Sequence, residues 1–271
     1  MKLCLCSTFN DKQKRLPKGT WLIEPKYDGL RCIATKQNGK VTFISRNGKA
    51  IYNTEIIQAE LEKAPIDNVV FDGELQSKDW SDTISIAHTQ ATHPSRDKLC
   101  FYIFDSLALN EWTGRVSKHY LIDRREGLLL AINEHIKVVP ANIVNTFQEA
   151  EALYKSYLER EFEGVVLKEI NSFYEWRKHK QWLKWKPIKT YDIKVIDKVE
   201  GLGKYQGRLG ALIVLHKSKK IKVGSGFTDE QRYRYWSQDI IGKVIEVKCQ
   251  EETKDGYLRF PVFVRLREDK V

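Results

Sequence analysis

The sequence predicts an α+β domain over residues 1–187, followed by a small all-β domain over residues 188–271. In the first part of the chain, short β-rich runs alternate with segments of helical periodicity, in an order that fits an antiparallel sheet better than βαβ units. After Lys186-Pro187 the helical periodicity ends, and five β-rich runs follow within about eighty residues.

Turn dipeptides divide the first domain into elements. Asn38-Gly39 and Asn47-Gly48 suit turns that need positive φ. Apolar residues at three- and four-residue spacing predict helices over Thr54–Lys63, Lys118–Asn133 and Phe147–Arg160. Runs of β-branched and aromatic residues predict the strands Thr20–Glu24, Arg31–Thr35, Lys40–Ser45, Asn68–Phe71, Leu99–Phe104 and Gly164–Lys168.

The second domain is predicted to be a small closed barrel, with the oligonucleotide/oligosaccharide-binding (OB) fold as the leading candidate, because five strands fill a short segment. It carries 18 basic and 12 acidic residues, against 28 and 24 in the first domain, so the smaller domain has the larger positive excess. The predicted strands are Tyr191–Val199, Gly210–His216, Lys220–Val223, Lys243–Gln250 and Pro261–Leu266.

The composition excludes several classes of protein. With 42% hydrophobic residues in 271, the chain can build real cores, and its Gly and Pro content is neither periodic nor clustered. No apolar run is long enough for a signal peptide or a membrane span, so we expect a soluble, cytoplasmic monomer that binds no membrane. The five cysteines are predicted to be free thiols. The formal net charge of +10 favours a polyanionic partner.

The segment from Glu24 to Arg31 places Lys26 at the end of an apolar strand, beside an Asp28-Gly29 turn. A lysine amine attacks phosphorus only when it is neutral, and its unperturbed pKa is about 10.4. We expect burial and the nearby cations of Arg31, Lys184 and Lys186 to lower the pKa of Lys26. The plainer alternative is a hairpin in which Lys26 is a solvated surface charge.

Further charged residues follow at strand ends. Asp72 and Glu74 close an apolar strand, Glu163 opens another, and Lys184 and Lys186 are two residues apart on one face of a third. Carboxylate oxygens for Mg²⁺ and lysines for phosphate oxygens are the groups that nucleotidyl transfer requires. Each alone fits a solvated charged face, but the ordered set is hard to explain in that way.

In this order the motifs resemble those of an ATP-dependent DNA ligase of the covalent nucleotidyltransferase superfamily, in its minimal two-domain form. The resemblance spans about Trp21 to Lys270. It implies an antiparallel-sheet nucleotidyltransferase (adenylation) domain over residues 1–187, an OB-fold barrel over residues 188–271, and ATP and Mg²⁺ as cofactors. It makes Lys26 the residue that carries AMP, in the motif that includes Asp28 and Arg31.

The resemblance also assigns the nucleotide pocket. Glu24 would read the adenine amino group, Phe104 would stack on adenine, and Glu74 would lie near the ribose hydroxyls. Asp72 and Glu163 would be metal ligands, with Asp28 as a further candidate ligand or hydroxyl-orienting group. Lys184 and Lys186 would bind phosphate.

Nicked double-stranded DNA is the partner that the resemblance implies. Arg46, and with it Arg177, would hold the 5′-phosphate of the nick. Near the C-terminus, Arg267, Asp269 and Lys270 match the motif that orients the departing pyrophosphate. Because the chain has no room for an added DNA-binding domain before Lys26 and no long insertion between Gly226 and Lys243, we expect affinity for nicked DNA to fall steeply with salt.

The implied reaction has three steps: AMP is transferred from ATP to Lys26, then to the 5′-phosphate of the nick, and is displaced by the 3′-hydroxyl as the backbone is sealed. An RNA ligase is the nearest alternative, because adenylate chemistry does not separate the two. A capping enzyme would load guanylate instead. A non-catalytic OB-fold nucleic-acid-binding protein is a third alternative, which the intact set of charged residues disfavours.

Overall fold

The computed structural model describes residues 2–249, 251–253 and 255–270. The chain divides after Trp185 into two compact units. Each unit has its own hydrophobic core.

In the part of the first unit that the structure describes, strands dominate and helices connect them. The strands are β1 (Leu5–Thr8), β2 (Trp21–Pro25), β3 (Leu30–Gln37), β4 (Lys40–Ser45), β5 (Val69–Gln76), β6 (Cys100–Ala108), β7 (Ile136–Val138), β8 (Asn142–Val144), β9 (Val165–Glu169) and β10 (Lys178–Trp185). The helices are α1 (Glu55–Lys63), α2 (Trp80–His88), α3 (Leu109–Gly114), α4 (Leu121–Glu126) and α5 (Phe147–Glu159).

The ten strands form two five-stranded sheets, in the orders β1-β10-β9-β2-β8 and β4-β3-β5-β6-β7. Neighbouring strands are antiparallel except for the pairs β1–β10 and β6–β7, which are parallel. The predicted antiparallel α+β domain is therefore confirmed.

Packing of the two sheets places the ends of several strands close together. Helices α1 and α2 cover one side of the second sheet, and α5 covers one side of the first. Leu22 on β2, Trp182 on β10 and Leu107 on β6 belong to one buried cluster, which therefore joins the two sheets.

One predicted helix is shorter than expected. The pattern over Lys118–Asn133 is helical only in α4, and residues Gly127–Ala131 form a 3-10 turn. In that turn Leu128 and Ala131 are buried, while Leu129 is 64% exposed. An i, i+3 pair lies on one face of a 3-10 helix as well as of an α-helix, so the apolar spacing did not distinguish them.

The second unit contains the strands β11 (Lys189–Glu200), β12 (Leu209–His216), β13 (Lys219–Val223), β14 (Val244–Cys249), β15 (Glu251–Glu252), β16 (Leu258–Arg259) and β17 (Val262–Leu266). Five of them form a sheet in the order β13-β12-β11-β14-β17, and β15 pairs with β16. A single parallel bridge between Ser225 and Val262 connects the chain after β13 with β17. The prediction of a closed barrel is therefore wrong over the described residues, because β13 and β17 at the two edges of the sheet are not joined by a continuous ladder.

A helix in the second unit, α6 (Asp229–Ser237), lies in a segment for which we predicted no helix. Thr228 and Gln231 form a capping box at its start. Its buried contact is made by Arg232, whose guanidinium donates to the backbone carbonyls of Leu209, Gly210 and Gly224 at 2.8–2.9 Å. Because a buried arginine replaces an apolar residue there, hydrophobic periodicity did not reveal the helix.

Among the described residues, no helix combines the length and the apolar character that crossing a membrane would require.

Candidate active site

Lys26 directly follows β2 and is held against the loop that precedes β9. Its backbone N–H donates to Gly164 O at 2.9 Å, and its carbonyl accepts from the Glu163 N–H at 3.2 Å. The side chains meet as well, with Lys26 Nζ 2.5 Å from Glu163 Oε2. The predicted nucleophile and the predicted metal ligand are therefore an ion pair, with side chains 26% and 16% exposed.

The predicted lowering of the Lys26 pKa is wrong for the free protein. Burial lowers this pKa, but the carboxylates of Glu163 and Glu74 act in the opposite direction, and the net result is a pKa above the ordinary lysine value. The expectation counted burial and the neighbouring cations but left out the two acidic residues. In the free protein Lys26 is a charged ammonium group.

Glu74 lies beside Arg31 in the ladder between β5 and β3. Burial raises the pKa of Glu74 to about 7, although Lys26 and Arg31 oppose the shift. Glu163 and Asp72 add to it as like charges. This carboxyl group therefore changes its charge near neutral pH.

Two glycines beside the predicted site residues, Gly29 after Asp28 and Gly73 between Asp72 and Glu74, have no room for a side chain. A Cβ on Gly29 would lie 2.1 Å from the carbonyl oxygen of Leu75 on β5. A Cβ on Gly73 would lie 2.6 Å from both the Phe101 ring and the Tyr102 carbonyl oxygen on β6, where the ladder has a bulge. Only glycine lets these strands approach so closely beside Lys26 and Glu74.

The prediction that Asp72 binds a metal does not fit the structure. Asp72 is fully buried and accepts hydrogen bonds from Arg31 Nε at 2.9 Å, Arg31 Nη2 at 2.6 Å and Tyr174 Oη at 2.7 Å. Its oxygens are used to hold Arg31, and Glu163 is paired with Lys26. Binding of a metal by Asp72 would therefore require Arg31 or Tyr174 to give up its hydrogen bond.

Within the described residues, one group of acidic and histidine side chains has the compactness of a metal site: Glu60, Glu134 and His135. His135 is already satisfied, since Nδ1 lies 2.8 Å from Glu60 Oε1 and Nε2 lies 3.0 Å from Asp97 O. The hydrogen bond to Glu60 raises the pKa of His135. An ion pair explains this group without a metal.

Glu24 is buried and bound by two cations, in contacts that we did not predict from the sequence. Arg125 donates to Oε1, and Lys168 Nζ lies 2.7 Å from Oε2. Arg125 also donates to the carbonyls of Phe104 and Val139, at 3.2 and 2.7 Å. Two ion pairs therefore fix the predicted adenine-reading carboxylate in position.

Phe104, the predicted stacking residue, lies on β6 beside this cluster. Lys168 Nζ is 4.2 Å from its ring centroid and Arg31 Cζ is 5.4 Å away. The neighbouring Asp105 is fully buried and forms a bidentate pair with Arg124, at 2.8 Å for both bonds. This pair fixes the strand, and with it the Phe104 ring, in position.

The remaining predicted residues of the nucleotide pocket are Asp28, Lys184 and Lys186. Asp28 lies in the turn after Lys26, and its carbonyl oxygen is 3.5 Å from Gln76 Nε2. Lys184 on β10 is aligned with Val166 on β9, which is in turn aligned with Glu24 on β2, so the three share one face of the sheet. Lys186 follows β10 as the first residue of the second unit.

The two predicted nick-contacting arginines are exposed. Arg46 follows β4, and its backbone N–H donates to Arg31 O at 3.2 Å. Arg177 is 76% exposed and pairs with Glu175, with 2.6 Å between Nε and Oε2.

The predicted C-terminal residues form one network in the second unit. Arg267 Nη1 lies 2.7 Å from both carboxylate oxygens of Asp192 on β11. The other edge of the Arg267 guanidinium binds Asp269, at 2.8 and 2.6 Å. Lys270 Nζ lies 2.7 Å from Asp192 Oδ2, so Arg267 and Lys270 share this carboxylate. Asp192 was not among the predicted site residues.

The fold, together with the residues around Lys26, is that of a two-domain nucleotidyltransferase. The family model of the ATP-dependent DNA ligase domain matches residues 2–186, and that of the DNA ligase OB-like domain matches residues 200–267. The chain belongs to the ATP-dependent DNA ligase family. The predicted fold class, an adenylation domain followed by an OB-type domain, is confirmed at this level.

Individual proteins agree with the family model. The chain is 24% identical to the DNA ligase of Enterobacteria phage T6 over 90% of its length, and it spans 64% of the length of that relative. A solved structure described as Pmar-Lig_PreS3 has 29% identity and a TM-score of 0.84, over 98% of this chain and 67% of that one. A Lig E DNA ligase, described as binding DNA with a minimal scaffold, shares the fold with a TM-score of 0.80 over 98% and 99% of the two chains, at 24% identity.

Proposed function

We propose that this chain seals nicks with a 5′-phosphate and a 3′-hydroxyl in duplex DNA, using ATP, through a lysyl-AMP intermediate on Lys26. Residues 1–187 would form the adenylation domain and residues 188–271 the OB domain. The observation that carries the proposal is the Lys26–Glu163 pair, which lies beside the Glu24 and Phe104 cluster in a chain of this family.

In the first step the Lys26 nitrogen forms a bond to the α-phosphorus of ATP, and the bond from that phosphorus to the pyrophosphate oxygen breaks. The ammonium group must lose one proton before it attacks. Glu163 Oε2, at 2.5 Å, is the group placed to accept that proton. The raised pKa of Lys26 makes this transfer a necessary part of the step.

Recognition of the base would use the fixed carboxylate of Glu24 and the ring of Phe104. A charged carboxylate accepts a hydrogen bond from the amino group of adenine, whereas guanine presents a carbonyl oxygen at that position. Arg125 and Lys168 hold the Glu24 carboxylate in place by ion pairs, so the pocket would favour adenine over guanine. Magnesium would enter with the phosphates of ATP, because Asp72 is bonded to Arg31 and Tyr174 and Glu163 is paired with Lys26.

In the second and third steps the 5′-phosphate of the nick takes AMP from Lys26, and the 3′-hydroxyl then displaces AMP. Arg46 and Arg177 are exposed and free of the core, as a contact with DNA requires. The net charge of +10 would add attraction that does not depend on sequence.

Incubation with ATP labelled at the α-phosphate tests the first step. We expect label to remain on the denatured protein, to be lost in Lys26→Ala, and to persist in Lys155→Ala, which removes an exposed lysine on α5. Label on Lys26→Ala equal to wild type would reject Lys26 as the carrier.

Chasing the labelled protein with nicked DNA, nicked RNA and a DNA–RNA hybrid separates the alternatives. Transfer of AMP and sealing on nicked DNA is the expected result. Sealing of RNA alone would indicate an RNA ligase, and absence of any label would indicate a nucleic-acid-binding protein without catalysis.

A further inference from the structure

The carboxylate of Asp192 lies where the two cations of the C-terminal motif converge. Arg267 Nη1 contacts both of its oxygens and Lys270 Nζ contacts Oδ2, all at 2.7 Å. A guanidinium group and an ammonium group gripping one oxyanion are a recognition pattern for phosphate as well as for carboxylate. Asp192 thus occupies the position that a phosphate group would take between these cations.

Asp269 has a different role in the same network. It binds the edge of the Arg267 guanidinium that faces away from Asp192, through Nε at 2.8 Å and Nη2 at 2.6 Å. If a phosphate replaced Asp192, Asp269 would still hold Arg267 in its orientation. In such an exchange Asp192 would leave Arg267, and Asp269 would remain bound to it.

We propose that Asp192 is an internal counter-ion that a pyrophosphate group must displace from Arg267 and Lys270. This inference rests on the proposed function, in which these cations orient the departing pyrophosphate. Competition by Asp192 weakens the grip on the product, and so favours its release after Lys26 has been adenylated.

The accessibility of the network allows such an exchange. The side chains of Asp192 and Lys270 are 24% and 50% exposed, and Arg267 is 15% exposed. A partly exposed ion pair contributes little free energy because solvent screens it, so a multiply charged ligand can replace one of its members.

Calorimetric binding of inorganic pyrophosphate tests the inference without relying on turnover. In Asp192→Asn we expect binding to become about three- to tenfold tighter, because the competing charge is removed while a side chain of similar shape remains. The gain should disappear in Asp192→Asn/Arg267→Ala. Glu246→Gln is the matched control, since Glu246 forms a comparable pair with Arg265, 2.7 Å apart, on the neighbouring strands.

Unchanged or weaker pyrophosphate binding in Asp192→Asn would overturn the inference, since Asp192 would then not compete with the ligand. Labelling of Lys26 by ATP is measured separately in the wild-type protein. A protein that is labelled normally but shows no tighter binding in Asp192→Asn would refute the role of Asp192 and leave the proposed ligase function standing.

Discussion

Lys26 Nζ and Glu163 Oε2 are 2.5 Å apart, and the backbones of the two residues are hydrogen-bonded to each other at 3.2 Å. The loop before β9 is thereby tied to the end of β2. The pair controls the charge of the amine, because the carboxylates of Glu163 and Glu74 outweigh the effect of burial on the pKa of Lys26.

Removing the charge of Glu163 should therefore lower the pKa of Lys26. In Glu163→Gln we expect the pH midpoint for acylation of Lys26 by a small neutral reagent to move down by about one unit or more, because burial then acts against a weaker opposing charge. Peptide mass spectrometry after brief labelling at several pH values measures the midpoint without requiring activity. Glu159→Gln, on the exposed end of α5, is the control; a midpoint that stayed in place in Glu163→Gln would show that the pair does not set the charge.

Glu74 should make the stability of the protein depend on pH. In the unfolded chain its proton is lost near 4.5, whereas in the folded protein burial holds it until about 7. A group whose pKa is raised by folding stabilises the protein below its unfolded pKa, and this contribution is lost as the pH rises through the folded value.

Between pH 4.5 and 7 the free energy of unfolding of the wild-type protein should therefore fall relative to Glu74→Gln, by on the order of 2 kcal/mol for a partly exposed group. Urea denaturation of the two proteins across that pH range gives the difference directly. A difference that is constant with pH would contradict the raised pKa.

Asp72 should behave as a structural residue. In Asp72→Asn the charged guanidinium of Arg31 loses its counter-ion in a buried position, and we expect a loss of about 3–5 kcal/mol in the free energy of unfolding. Breaking the exposed pair of Lys155 and Glu151, 3.1 Å apart, by Glu151→Gln should cost only about 0.3–0.5 kcal/mol.

If Asp72 instead bound a metal, its substitution would change the requirement for Mg²⁺. Loss of a metal ligand would raise the Mg²⁺ concentration needed for labelling of Lys26 by tenfold or more. We expect that concentration to be unchanged in Asp72→Asn at a temperature where the protein is folded. A large rise with unaltered stability would restore the metal assignment.

Comparison of the predicted with the observed elements shows which parts of the site the sequence could predict. The β-rich run after Thr20, the turn at Asp28-Gly29 and the helix over Thr54–Lys63 are local patterns, and the structure has β2, a turn and α1 there. The close strand approach at Gly29 and Gly73 was not predicted, because it depends on the pairing of β3 and β6 with β5.

The missing parts depend on contacts between distant segments. Arg125 reaches Glu24 across 101 positions of sequence from a short helix whose apolar pattern does not mark it. Lys168 is the last residue of the predicted strand Gly164–Lys168, but its pairing with Glu24 follows from the neighbouring position of β2 in the sheet. The charge of Lys26 was misjudged for the same reason, because spacing shows which charges exist and not which of them are nearest.

The lysines of β13 provide the last prediction, on binding of nicked DNA. Ile221 and Val223 point into the core of the second unit, so Lys220 and Lys222, which alternate with them, face the solvent. The segment from β12 to β13 carries four lysines and no acidic residue. Lys217 at the turn is already paired with Glu252, at 2.6 Å.

If Lys220 and Lys222 contact phosphates, each releases about one counter-ion on binding, and a plot of log affinity against log salt should be steep for the wild-type protein. Lys220→Ala/Lys222→Ala should lower that slope by about two while labelling of Lys26 by ATP is unchanged. Lys217→Ala should change the slope little, because Glu252 already neutralises Lys217. A nearly flat wild-type plot would contradict electrostatic binding altogether, and a double variant with the wild-type slope would place the DNA on another face of the protein.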